Sequence, residues 1–201
     1  MHRLQELLRQ ATEKQNEIWS HQIIRSREDL NDWLKTEKQK YSQKMSGGIV
    51  CLTENDYIWR YQKRLRKTEY YSNTNKLLRY FFSRVRLIRL SAKLGMNVRL
   101  NSCGKGLRIV HISSVITSGD IGENYTAFPN TLVGQGTDGR NPVIGDNVSV
   151  FAGAIIVGGV TIANDVIVGA NSFVNKSFLE EGVIIAGVPA RIIKHRSTSD
   201  R

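Results

Sequence analysis

The chain has 201 residues, of which 40% are hydrophobic, and a net charge of +11 at pH 7. Two cysteines are too few for a disulfide framework, so we expect both thiols to be unpaired. The N-terminus has no apolar core of the signal-peptide kind, and the most apolar helical segment, 77–90, is too short and too charged to span a bilayer. We therefore expect a soluble cytoplasmic protein of one domain or a small domain pair.

The first half of the chain has the periodicity of α-helices. We predict helices over roughly 2–20, from Ser26 to the break at Ser46-Gly47-Gly48, from Thr53 to about Tyr71, and from Asn75 to Leu94. Ser26 and Thr53 are typical helix-start residues because acids follow them in the first turn. Gly95 is a typical C-terminal stop.

The excess positive charge is confined to one segment. Between Arg60 and Arg99 there are twelve Lys and Arg residues and one acid, Glu69, so this segment carries the whole net charge of +11. One interpretation is a solvated helical face with the Leu, Phe and Tyr side chains packed inward. The other is attraction for an anionic glycan, a lipid-linked intermediate or an anionic membrane surface. We expect no nucleic-acid partner, because charge alone would support it and no nucleic-acid-binding motif is visible.

A six-residue repeat begins after the helical half. Ten of the following eleven positions are Ile or Val: Ile109, Val115, Ile121, Ala127, Val133, Ile144, Val150, Ile156, Ile162, Val168 and Val174. One step is eleven residues long, from Val133 to Ile144, so the polar, Gly-rich segment 135–141 must leave the repeat as a loop. Such loops on a rigid scaffold often carry function.

The period of six predicts a left-handed parallel β-helix, a triangular prism in which three hexads make one coil. The aliphatic residue of each hexad points inward, and Gly, Asn and Asp take the corners. We predict a mainly β fold with an α-helical N-terminal region, 1–95, followed by a β-helix domain with a C-terminal tail, 96–201. A zinc site of three histidines is not expected, because the prism has only one.

Several segments resemble the hexapeptide-repeat acyltransferases, and among them the serine acetyltransferases and related sugar or polysaccharide O-acetyltransferases. They are the Gly-rich lead into a histidine at 104–111, the re-entry after the loop at 142–148, the terminal Ala-Gly-Val-Pro-Ala-Arg at 186–191 and the helical stretch 59–71. The resemblance covers about 57–194. It implies a homotrimer with active sites between adjacent prisms and acetyl-CoA lying along the groove.

His111 is the predicted catalytic base. Acetyl transfer to a hydroxyl needs a group that takes the alcohol proton, and imidazole exchanges protons near neutral pH. His111 is the only histidine of the prism, and the resemblance places it where the family has its catalytic histidine. A lone histidine in a repeat is otherwise usually a surface residue.

The remaining predicted site residues follow from the resemblance. Asn141 is the second catalytic candidate, although Asn before Pro142 is also a common turn residue. The predicted CoA-binding residues are Gly134, Ala152, Ala170, Arg191 and Lys194, where small side chains expose the backbone and cations meet phosphates. Arg140 and Asn97 are the predicted substrate-binding residues.

Three departures from the serine acetyltransferase pattern bear on the acceptor. Val110 stands where that family has a serine-binding aspartate, Asn141 stands where it has a histidine, and no acid matches the orienting carboxylate near Met96. The leading hypothesis is therefore acetyl transfer to a sugar or surface-polysaccharide hydroxyl. The alternatives are serine O-acetylation and a non-catalytic trimeric binding or scaffold protein.

Overall fold

The computed structural model describes residues 23–41, 45–46 and 51–196. The predicted helix over 2–20 lies outside the described residues. Three α-helices precede the strands: α1 (Arg27–Gln39), α2 (Glu54–Asn73) and α3 (Leu77–Leu94). Ser26 and Thr53 cap α1 and α2 with reciprocal capping boxes, and Gly95 ends α3 in the left-handed conformation with φ 72°. Helix α1 ends at Gln39, before the predicted break.

The rest of the chain is a parallel β-helix, as predicted. Its strands are β1 (Met96–Val98), β2 (Arg108–Ile109), β3 (Val115–Thr117), β4 (Asp120–Ile121), β5 (Thr126–Ala127), β6 (Thr131–Gly134), β7 (Val143–Ile144), β8 (Ser149–Val150), β9 (Ile155–Val157), β10 (Thr161–Ile162), β11 (Ile167–Val168), β12 (Phe173–Val174), β13 (Val183–Gly187) and β14 (Ala190–His195). The division into domains at Gly95 stays a prediction.

Three parallel sheets form the faces of the prism. The first face is β1-β3-β6-β9-β12, the second is β4-β7-β10, and the third is β2-β5-β8-β11-β13, to which β14 adds an antiparallel edge. The predicted inward residues are 0–1% exposed, which confirms the apolar interior. Asn124, Asn147 and Asp165 occupy the same corner in successive coils and have positive φ, as the turn chemistry predicts.

The helices close the open end of the prism. The first coil would otherwise expose unpaired strand backbone, and side chains from the helical half bond to it. The Tyr61 hydroxyl accepts from Val98 N at 3.0 Å, Gln62 Nε2 donates to Leu107 O at 2.8 Å, and the Tyr41 hydroxyl accepts from Ile109 N at 2.7 Å. The helical half and the prism interior therefore share one apolar core.

Arg66 of α2 is the central member of this closure. Its guanidinium is fully buried, pairs with Glu37 at 2.8 Å and Glu69 at 2.9 Å, and donates to Cys103 O and Gly104 O. Burial by itself opposes the charge, but the two carboxylates reverse that effect and raise the pKa of Arg66 above its ordinary value. Cys103 and Cys51 are both free thiols.

Substitution of Arg66 by alanine is expected to lower the free energy of unfolding by about 3–5 kcal/mol, because it leaves buried carboxylates without their partner. Urea denaturation measures the change. The matched control is Arg60→Ala, since Arg60 lies on the exposed side of the same helix and should cost within about 0.5 kcal/mol. Equal losses in the two variants would contradict the closing role of Arg66.

Candidate active site

His111 lies at the corner of the prism between the third and first faces, where the structure departs from the predicted repeat. Ile109 pairs with Ala127, and Val115 pairs with Thr131. Six residues separate the pair in the first coil and four in the second, so this corner holds two extra residues. Thr117, not Val115, is the partner of Val133. The prediction of an unbroken six-residue phase is therefore wrong at this corner, where the larger turn projects His111.

The backbone and side chain of His111 are both exceptional. Its φ of 68° is left-handed, a conformation that non-glycine residues rarely adopt. The imidazole is 65% exposed, and Nδ1 lies 2.9 Å from Oε2 of Glu54. Oε1 of the same carboxylate accepts from Ile112 N. Glu54 therefore holds both the imidazole ring, through Nδ1, and the turn that carries it, through Ile112 N.

Glu54 is the first residue of α2, and the cap of that helix fixes its position. Thr53 Oγ1 accepts from Asp56 N, and Asp56 Oδ2 accepts from Thr53 N at 2.9 Å. The pKa of Glu54 is lowered mainly by the backbone hydrogen bond from Ile112. Burial opposes this effect, and the hydrogen bond and charge of His111 lower the pKa further. Glu54 is thus ionised at neutral pH and can accept a hydrogen bond from Nδ1–H of His111.

The Thr53–Asp56 cap that positions Glu54 depends on the ionisation of the Asp56 carboxyl group. Burial raises the pKa of Asp56, but hydrogen bonds from Thr53, Ser46 and Leu52 outweigh it and bring the pKa to about 2. Because the folded pKa lies below the ordinary 3.8, this stabilisation is present above pH 3.8 and is lost as the pH falls towards 2. Asp56→Asn should therefore lose less stability than the wild type between pH 5 and pH 2.5. Urea midpoints at the two pH values measure this, and identical pH dependence would contradict it.

The predicted loop leaves the prism at the next corner, between the first and second faces. Asp138 folds it, accepting from Arg140 Nε at 2.8 Å and from Gly159 N at 3.2 Å. A Cβ on Gly159 would come within 2.7 Å of Arg140 Nε, so a larger residue at this position would displace the Arg140 side chain. Asn141 Oδ1 accepts from Ser118 Oγ at 3.4 Å. Within one chain, the structure does not bring Asn141 or Arg140 to His111.

Three of the five predicted CoA residues lie at the edges of the first face, and the other two lie on β14 of the third face. In the strand register, Ala152 and Ala170 follow His111 along the same corner, two and three coils further on. At about 4.8 Å per coil this column spans roughly 14 Å. Gly134 lies on the opposite edge, where an added Cβ would meet only Leu132 at 3.8 Å. Arg191 and Lys194 lie on β14, and exposed Asn97 lies on β1 at the end of the first face.

The first face itself carries an outward apolar column. Ile116, Leu132, Ile155 and Phe173 are consecutive partners in its ladder. Ile116 and Ile155 are 41% and 38% exposed. On the His111 corner Phe128 stacks on Phe151 with ring centroids 4.4 Å apart. Such an exposed apolar patch is typical of a protein interface.

The orienting partner of His111 was missed by the sequence analysis. Met96, where the resemblance places a carboxylate, is a fully buried residue of β1. Glu54 precedes His111 by 57 residues, and its sequence signal is only that of an acid in a helix's first turn. Among the described residues no group of three or more His, Cys, Asp or Glu could hold a metal ion.

Comparison with known proteins confirms the resemblance to the hexapeptide transferases. The bacterial transferase hexapeptide (six repeats) model matches residues 141–176. A serine acetyltransferase of Buchnera aphidicola is 35% identical over 130 residues, covering 61% of this chain and 49% of the relative. One from Staphylococcus aureus is 38% identical over 96 residues, 45% of each chain. The chain thus spans about half the length of these curated relatives.

Solved structures show the same fold. A serine acetyltransferase from Brucella abortus superposes with a TM-score of 0.65 at 22% identity, covering 83% of this chain and 69% of that one. A serine acetyltransferase in complex with CoA gives a TM-score of 0.66 at 22% identity, covering 83% and 71%. The left-handed β-helix is thereby established.

Proposed function

We propose that this chain is an acetyl-CoA-dependent O-acetyltransferase with His111 as general base. The contact between His111 Nδ1 and the Glu54 carboxylate is the observation that carries the proposal. A carboxylate at Nδ1 fixes the tautomer and leaves Nε2 to accept a proton, the arrangement that hydroxyl activation requires. His195 pairs with Glu180 at a similar distance, but of these two histidines only His111 has a left-handed φ and lies on the enlarged corner of the prism.

The reaction follows from these positions. Nε2 takes the proton of the acceptor hydroxyl as its oxygen attacks the thioester carbonyl, and a backbone amide of the cleft holds the developing oxyanion. When the intermediate collapses, the C–S bond breaks and the imidazolium returns the proton to the CoA sulfur. Glu54 stabilises the imidazolium in between. No metal takes part in these steps.

The relatives' names make L-serine the first acceptor to test, although two residues favour a sugar. Val110 has no charge to pair with an amino group, and Asn141 offers an amide in place of an imidazole. The small-molecule acceptor is therefore serine in the first proposal and a nucleotide- or lipid-linked sugar in the second.

A thiol-release screen with acetyl-CoA decides between them. Release that depends on serine supports the first proposal, and release that depends only on sugars supports the second. Calorimetry with CoA runs beside the screen. A chain that neither binds CoA nor releases thiol with any acceptor would be the trimeric scaffold protein, and both proposals would fail.

Acetyl-CoA is proposed to lie along the His111 corner. Ala152 and Ala170 are small residues in the column below His111, beside the stacked rings of Phe128 and Phe151. Gly134 leaves open space on the other edge of the first face. His111 and Asn141 occupy different edges in one chain, so both can line one cleft only if two prisms pack together. Arg191 and Lys194 are exposed cations suited to CoA phosphates.

A homotrimer that packs through the first face satisfies these requirements and covers the apolar column. Ile155→Glu is therefore expected to dissociate the assembly, because it would bury three unpaired carboxylates at the contact. Light scattering during gel filtration should give the mass of three chains for the wild type and of one for the variant. Ile193→Glu is the control, since Ile193 is 63% exposed on β14. A trimer unaffected by Ile155→Glu would contradict this interface.

A further inference from the structure

Helix α3 has an apolar face that no described part of the chain covers. This outer α3 face consists of Leu77, Leu78, Phe81, Phe82 and Ile88, which are 76%, 78%, 61%, 60% and 51% exposed. Phe81 and Phe82 pack edge to face on each other, with ring centroids 5.6 Å apart. Exposed apolar residues grouped in this way mark a surface that contacts something else.

The rest of the helix is positioned around that face. Ser83, Leu87 and Leu94 are its buried residues, and at 100° per residue they lie on the side opposite the outer α3 face. Arg79 and Arg86 flank the face on one side and Arg84 flanks it on the other. The helix contains no Asp or Glu. The helix is thus apolar on its inner side and cationic along both borders of the outer α3 face. Exposed Arg89 lies between Leu78 and Phe82 by the same geometry, so the outer face is mainly apolar with one cation within it.

Helix α2 extends the positive border. Arg64 lines a groove with Arg79, Phe82 and Arg86. Partial burial and the nearby charge of Arg86 lower the pKa of Arg64. The pKa of Lys63 is also lowered, mainly by partial burial and then by the nearby charge of Lys67. Within the described part of the chain, no carboxylate forms an ion pair with any of these α2 and α3 cations.

We infer that the outer α3 face docks on an anionic lipid bilayer, with α3 lying in the plane of the membrane surface. Phe81, Phe82 and the leucines enter the boundary between headgroups and acyl chains, and the flanking arginines meet lipid phosphates. A second copy is the weaker occupant, because symmetric pairing of this face would set arginine against arginine. No described helix is long and apolar enough to cross a membrane, so the contact is peripheral. The inference is independent of the proposed function.

Vesicle flotation with the full chain tests the inference. We expect binding to vesicles of phosphatidylcholine with phosphatidylglycerol, weak binding to phosphatidylcholine alone, and a fall in binding as salt is raised. Phe81→Asp/Phe82→Asp should lower partitioning at least about 100-fold. Arg79→Gln/Arg86→Gln should lower it roughly 10- to 30-fold.

Matched controls separate the face from net charge and from folding. Lys176→Gln/Arg191→Gln removes the same charge near the other end of the prism and should bind like the wild type. Ile88→Asp removes another apolar side chain of the outer α3 face, more than one helical turn from Phe82, and should also lower partitioning. Thermal melts check that each variant is folded. Thiol release without vesicles should be unchanged in Phe81→Asp/Phe82→Asp, so failure here is distinguishable from failure of the proposed function.

Three outcomes would overturn the inference. The first is that the wild-type chain does not bind anionic vesicles. The second is equal partitioning of the wild type and Phe81→Asp/Phe82→Asp. The third is that Phe81→Asp/Phe82→Asp changes the oligomeric state in gel filtration and neither protein binds vesicles, which would make the face a contact between copies of the chain.

Discussion

Substitution of His111 by alanine is expected to lower kcat/KM for acetyl transfer by about 10²- to 10⁴-fold, the usual contribution of a positioned general base. The loss should fall on kcat, because the imidazole acts on the proton that moves in the transition state. The affinity for CoA, measured by calorimetry, should stay within about two-fold. Thiol release with the preferred acceptor provides the rate.

Two further variants show whether the loss of activity in His111→Ala comes from backbone strain or from loss of a surface ion pair. Alanine is strained at the φ of 68° that His111 adopts, so His111→Asn keeps a residue suited to that conformation while removing the base. It should be as inactive as His111→Ala. His195→Ala is the matched surface control, because His195 also pairs with a carboxylate, Glu180 at 3.0 Å, and is similarly exposed. Wild-type rates in His111→Asn would contradict the assignment of the base.

Glu54→Gln has the second largest expected effect, a loss of about 10- to 100-fold in kcat. A glutamine can still contact Nδ1 but cannot stabilise the imidazolium, and hydrogen bonds to charged groups are worth correspondingly more than neutral ones. The effect is smaller than at His111, because the carboxylate is 41% exposed and water screens it.

Glu54 is a positioning residue, and its test separates positioning from structure. KM and CoA affinity should be little changed, and Glu54→Asp should recover part of the loss. Glu180→Gln, which breaks the equivalent pair with His195, should leave the rate unchanged. If Glu54→Gln raised KM with kcat intact, its carboxylate would bind the acceptor and would not orient His111.

The fold was predictable because the repeat is a local pattern. Nearly every hexad has Ile or Val at its inward position, so the period and the prism follow from the sequence. The helix starts at Ser26 and Thr53 follow from capping chemistry. The two extra residues around His111 were not predictable in the same way. Val115 is aliphatic, in phase and buried, and only its pairing with Thr131 shows that the strand is displaced.

The site was predictable only in part. The prediction of His111 depends on the resemblance of segment 104–111 to the family's lead into its catalytic histidine, whereas the place of Glu54 depends on how α2 packs against the first coil. That packing is set by buried polar contacts such as Arg66 with Glu37 and Cys103 O, which no sequence periodicity encodes. The separation of Asn141 from His111 likewise depends on which corner each one occupies.

The most direct test of the account is a double-mutant cycle between His111 and Glu54, measured as kcat/KM for thiol release from acetyl-CoA. Because Glu54 is proposed to act through the imidazole, Glu54→Gln should cost about 10- to 100-fold in the wild type and less than about two-fold in His111→Ala. Losses that multiply independently in the double variant would contradict the pair, as would a wild-type chain that releases no thiol with any acceptor.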